Sequence, residues 1–125
     1  MQDISIEATG NHVEIEVRGK LTKESYEYFI PMLEDVIVET QEKLRVLFVM
    51  RDFYGWTAGA LWADIKFDLR HFHDIERLAI AGEKRWQQGM AMFAKPFTHA
   101  AVRYFDLESL EEARTWVYAD ELATT

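Results

Sequence analysis

Apolar and polar residues alternate at the start of the chain. Ile4 and Ile6 flank Ser5, and Val13, Ile15 and Val17 are separated by Glu14 and Glu16. A period of two places one set of side chains on a single face of a strand. With Gly10-Asn11 between the two runs, the pattern predicts an antiparallel hairpin with one wet face. From Tyr26 the period lengthens: Tyr26, Phe29, Leu33, Val36 and Ile37 recur at helical spacing behind Thr22, a suitable N-cap. Pro31 sits inside that run, where a missing N–H and a bulky ring predict a bent or two-piece helix.

The run Val46-Leu47-Phe48-Val49-Met50 is unbroken and apolar, as expected of a strand buried on both faces. A loop, Arg51 to Trp56, is expected next. Thr57 then caps a second helix with Leu61, Ile65, Leu69 and Phe72 on one face. Leu78 to Ala81 reads as another buried strand ending at Gly82. Trp86, Met90 and Phe93 mark a third helix stopped by Pro96, and Ala101 to Phe105 a last strand. Asp106 caps a final helix whose stripe is Leu110, Ala113 and Val117. The order β-β-α-β-α-β-α-β-α predicts one α/β domain over residues 1–125. Its sheet would be five-stranded and mostly parallel, with an antiparallel N-terminal edge strand and four main helices.

Charge narrows the partners. With 22 acidic against 14 basic residues the formal charge is −8, which repels phosphate backbones and anionic lipid surfaces. Nucleic acid is therefore not an expected partner. No apolar run reaches the roughly 20 residues that span a bilayer, so no integral membrane segment is expected. The N-terminus lacks a signal-peptide pattern, and a cytoplasmic location follows as the expectation. The absence of cysteine excludes disulfides and thiolate chemistry.

Catalytic signals are missing. There is no Gly-x-Ser-x-Gly turn, no Walker loop and no dinucleotide fingerprint, so neither an enzyme nor a cofactor is expected. Asp64, Asp68 and His71 share a helical face, but no further ligand stands at metal-binding spacing. That face reads as solvated, and no metal site is expected.

Several segments together resemble the SpoIIAA-like family. They are the hairpin, Gly19-Lys20-Leu21-Thr22, the Tyr26…Phe29…Pro31 helix, Asp52-Phe53-Tyr54-Gly55-Trp56, Gly82-Glu83-Lys84-Arg85-Trp86, and Val102-Arg103-Tyr104-Phe105-Asp106 with Glu112-Ala113-Arg114. The resemblance extends to STAS and CRAL-TRIO domains. It implies a β-α superhelix with strands in roughly sequential order and a role in binding. The anti-sigma antagonists of the STAS type carry Asp-Ser-Ser-Gly at the corresponding helix start, the second Ser being phosphorylated. Aligned on Gly59, this chain has Ala58 at that position, which implies that the phosphoserine switch is absent. Thr57 matches the first Ser, and capping accounts for it.

In open α/β sheets, ligands gather beyond the carboxyl ends of the strands. That rim would collect Phe53, Tyr54, Trp56, Thr57 and Trp62 from the first crossover and Lys84 and Trp86 from the second, with Phe105 approaching from the last strand. Aromatic rings beside one cation and a helix start suit a small hydrophobic or amphipathic, lipid-like ligand. The alternative is a protein–protein or regulatory module, homodimeric or bound to another protein. Helices crowded on one face of the sheet would leave the face of Leu47 and Val49 to be covered by a bent helix, a ligand or a second subunit.

Overall fold

A computed structural model describes residues 4–71, 73–83 and 99–119. Strands β1 (Ile4–Thr9), β2 (His12–Leu21), β3 (Leu44–Trp56), β4 (Ile75–Gly82) and β5 (Ala101–Asp106) form one sheet in the order β1-β2-β3-β4-β5. β1 runs antiparallel to β2, and the remaining pairs are parallel. The expected hairpin, parallel sheet and sequential strand order are all present. Three helices lie among the described residues: α1 (Lys23–Thr40), α2 (Ala58–Arg70) and α3 (Leu110–Tyr118), the last entered through a 3-10 turn at Leu107–Ser109. The expected helix of Trp86, Met90 and Phe93 falls outside the described residues.

Cross-strand register sorts the side chains by face. Ile15, Phe48, Ile80 and Tyr104 lie in one row across four strands, and Glu14, Leu47 and Ala79 in the next, on the opposite face. The first face packs on α1 and α2 in a core that includes Val13, Val17, Tyr26, Phe29, Leu33, Met50, Phe53, Ala60 and Phe67. On the second face a smaller core joins Leu47, Val49, Ala79 and Phe105 to Ala113 and Val117 of α3. The chain itself therefore covers the face of Leu47 and Val49. A ligand or second subunit is not required for that purpose.

Four details depart from the sequence reading. Arg51 to Trp56, expected as a loop, prolongs β3, because Gly19 to Leu21 extend β2 alongside it through shifted register. The irregularity is carried by Asp52 at φ 48, Gly55 at φ 128 and Gly19 at φ 66, a backbone region that costs glycine little. Secondly, α1 is one helix across Pro31 and not two pieces. Pro31 and Glu27, whose carbonyl loses its amide partner, are both exposed, which leaves that side of the helix open to solvent. Thirdly, the buried face of α2 carries Ala60 and Phe67, with Ala63 packed beside them, while Leu69 is 53% exposed. Small residues let α2 approach α1 closely: a Cβ added at Gly59 would stand 3.4 Å from the Lys23 side chain. Finally, Asp106 makes no side-chain capping bond.

Local chemistry fixes the helix starts. Thr22 Oγ1 accepts the Ser25 amide at 3.2 Å while Ser25 Oγ accepts the Thr22 amide at 3.1 Å, a reciprocal capping box. At its other end, α1 is joined to α2 through charge. His71, its side chain only 13% exposed, places Nε2 2.9 Å from Glu34 and Nδ1 2.7 Å from Asp74. Arg70 donates to the same Glu34 oxygen at 2.7 Å. The face read as solvated thus turns its histidine inward. The hydrogen bond from His71, with help from Arg70 and against some burial, holds the Glu34 carboxyl below the usual carboxylate value.

α3 has only nine residues, too few for a helix to persist alone. Arginines fasten it. Arg45, buried between β3 and α3, donates to the carbonyls of Val117 and Ala119 and pairs with Glu76 at 3.2 Å. Arg77 Nη1 donates to the Trp116 carbonyl at 2.6 Å. Both cations sit at the negative end of the helix dipole and satisfy carbonyls that lack helical partners. Arg114 Nη2 and Nε reach Glu14 at 3.0 and 3.2 Å. Tyr118 stacks on His12 with centroids 4.5 Å apart and donates to the Val13 carbonyl at 3.0 Å. Burial, and secondarily the Glu14 charge, push that phenol up to about 12, so it remains a donor across the physiological range.

Two predictions follow from these ties. Replacing Arg45 by Met strands the α3 carbonyls and Glu76, and urea unfolding should show a loss of about 2–4 kcal/mol. A loss within error of zero would mean that packing alone holds α3. A carboxyl held below its ordinary value stabilises the fold above that value and ceases to do so as pH falls through the depressed one. The melting-temperature advantage of the wild type over Glu34→Gln should therefore be full above the ordinary value of 4.5 and shrink below it. An advantage that grew with acidification would contradict the assignment.

Candidate functional site

The parallel strands bring the carboxyl ends Leu21, Trp56, Gly82 and Asp106 to one edge of the sheet. Thr57 follows directly. Its amide donates to the Leu21 carbonyl at 2.9 Å, and its Oγ1 accepts the Ala60 amide at 3.1 Å. The hydroxyl is thus the N-cap of α2, the role its residue type implied.

Phe53 is 0% exposed and meets Trp56 edge to face, with centroids 4.9 Å apart and planes at 81°. It is part of the floor beneath the rim. Trp56 is half-buried, and its Nε1 donates to the Tyr26 hydroxyl at 2.8 Å; Tyr26 in turn donates to Asp64 Oδ1 at 3.1 Å. This chain of two hydrogen bonds ties the end of β3 to both helices and sets the Trp56 ring. The sequence reading missed Tyr26 and Asp64 as partners of Trp56. Tyr26 stands in an apolar stripe, and a phenol in such a stripe, needing a buried partner, was the available signal.

Tyr54 and Trp62 have the opposite character: they are 70% and 59% exposed. Two helical turns beyond Trp62, Leu69 is exposed on the same side of α2. Lys84 and Trp86 lie outside the described residues. Phe105, expected to approach the rim, is instead buried on the second face, 6.1 Å from the Trp116 ring, because alternation along β5 turns it toward α3. Beside the rim, Glu83 accepts the Asp52 amide at 2.9 Å and steadies the irregular turn of β3. Its charge, with that of Asp106 and chiefly with burial, raises the Tyr104 phenol above its ordinary value.

Chemically the rim offers aromatic surface, a threonine hydroxyl engaged as a cap, and a hydrogen-bonded chain that ends on the Asp64 carboxylate. Among the described residues, no group of three or more histidine or carboxylate side chains is placed to hold a metal ion. No helix among them is long and apolar enough to cross a membrane.

None of the curated proteins matches the chain. Among solved structures, it is similar to an uncharacterised protein of the DUF3478 family from Shewanella loihica PV-4, described as having a SpoIIAA-like fold. The two share 28% identity and superpose with a TM-score of 0.76 over 91% of each chain. The SpoIIAA-like family model matches residues 12–118, from the first residue of β2 to the last of α3. By that match the chain belongs to the SpoIIAA-like family.

Proposed function

We propose that this is a soluble, non-catalytic binding module of the STAS type that engages a protein partner through the outer face of α2. The observation that carries the reading is the contrast among its aromatic residues. Phe53 is spent on internal packing and Trp56 on the hydrogen-bonded chain with Tyr26 and Asp64, whereas Trp62 stands 59% exposed on a regular helix with Leu69 exposed beyond it. Exposed tryptophan on a rigid element is costly surface unless it is used, and tryptophan is prominent among residues that dominate interface energies. Family membership supports a binding or regulatory role.

Regulation by the phosphoserine of anti-sigma antagonists is not part of this proposal, since Ala58 has no hydroxyl and Thr57 is engaged as a cap. A small amphipathic ligand at the rim is the second reading. It is supported by Tyr54, 70% exposed at the strand end where α/β sheets collect ligands.

Trp62→Ala should leave the melting temperature within about 2 °C of wild type, as expected of an exposed side chain. Affinity capture from source cells with wild-type and Trp62→Ala baits should recover a common partner about tenfold or more less well with the variant. Equal recovery by both baits would remove α2 from consideration. A ligand adduct of fixed mass in non-denaturing mass spectrometry, retained by Trp62→Ala and lost by Tyr54→Ala, would decide for the second reading.

A further inference from the structure

The second face of the sheet carries a pair of arginines that the proposed interface does not use. Arg77 of β4 pairs with Ala101 of β5, and Ala79 with Arg103, so the two arginines stand on one face of neighbouring strands, two residues apart in register. Both converge on α3: the Arg77 and Arg103 guanidinium carbons lie 5.4 and 5.5 Å from the centre of the Trp116 ring. Arg103 also lies 4.7 Å from the centre of Phe105.

The chain has 22 acidic residues, yet neither arginine is salt-bridged to a carboxylate among the described residues. By contrast Arg18, Arg45, Arg51, Arg70 and Arg114 each are. Two like charges on diagonal positions of a sheet repel, and a nearby carboxylate is the common remedy. Here aromatic rings take its place. Stacking occupies the face of a guanidinium and leaves its in-plane N–H donors directed outward. Arg77 uses one nitrogen on the Trp116 carbonyl, and Arg103 makes no hydrogen bond among the described residues. An open groove beside Arg77 is lined by Arg77, Glu111, Glu112, Thr115, Trp116 and Ala119.

We propose that Arg77 and Arg103, set by the Trp116 ring, form an oxyanion-binding site that receives the phosphate or carboxylate group of a small molecule. Two forked donors on diagonal positions of adjacent strands, each within 5.5 Å of the centre of one ring, match the several oxygens of one such group, and bidentate charge-assisted bonds supply its affinity. Two exposed carboxylates line the groove: Glu111 is paired with Arg114, and Glu112, which makes no ion pair among the described residues, is the opposing charge that limits how tightly an anion binds.

The test is titration of the full chain with sodium phosphate at constant ionic strength and near-neutral pH. The Trp116 indole N–H and Arg103 Nε–H signals in nitrogen correlation spectra provide the readout. Both signals should move saturably. Affinity should fall about fivefold or more in Arg103→Gln and rise about twofold in Glu112→Gln, the charge changes acting in opposite directions. Saturable binding of acetate as well as phosphate would assign a carboxylate ligand to the site, and binding of phosphate alone a phosphorylated one. Shifts linear in phosphate, or equal affinity in wild type and Arg103→Gln, would overturn the proposal. Should Arg103→Gln fail to fold, unchanged affinity in Glu112→Gln overturns it equally.

Discussion

Strand β3 has to be dry on both sides, and the fold is arranged to meet that demand. Val46 and Met50 are buried on the face of α1 and α2, and Leu47 and Val49 on the face of α3. Backbone groups in such a position can be satisfied only by neighbouring strands, and β2 and β4 supply them in parallel register. Burying apolar side chains on two faces contributes about 25 cal/mol per Å² removed from water, so the segment stabilises the domain more per residue than any one-sided strand.

The two faces are covered by different means. α1 and α2 are long enough to bring their own apolar stripes, and they are cross-tied by Tyr26 with Asp64 and by His71 with Glu34. α3 is short and is held by bonds that reach it from the sheet: Arg45 and Arg77 on its final carbonyls, Glu14 on Arg114, and the Val13 carbonyl on Tyr118. The rim inherits its rigidity from the first arrangement, since Tyr26 and Asp64, which fix Trp56, come one from each long helix. A binding surface on α2 therefore rests on a stiff support, which lowers the ordering cost of association.

Local signals in the sequence were enough for most of the fold. Alternation located β2, the unbroken apolar run located the centre of β3, and Thr22 and Thr57 stood where their hydroxyls cap helices. What escaped depends on partners distant in sequence. Asp52 to Trp56 looks like a loop until Gly19 to Leu21 run beside it. The buried side of α2 follows its small residues because α1 lies close, and nothing within α2 announces that. For the candidate site, Phe53, Tyr54, Trp56 and Trp62 look alike in sequence, but the structure divides them into packed and exposed. Arg77 lies just before the run read as a buried strand and Arg103 within the last strand, and only the fold brings both to Trp116.

Native-state hydrogen exchange along β3 tests this account most directly. Because closure on both faces is what isolates the strand, the amides of Val46 to Met50 should exchange only through global unfolding, with the same free energy that denaturant unfolding reports. Exchange of Leu47 and Val49 through a cheaper, local opening, while the α1 amides stay protected, would show that α3 does not seal its face and that the strand is not the common support of the domain.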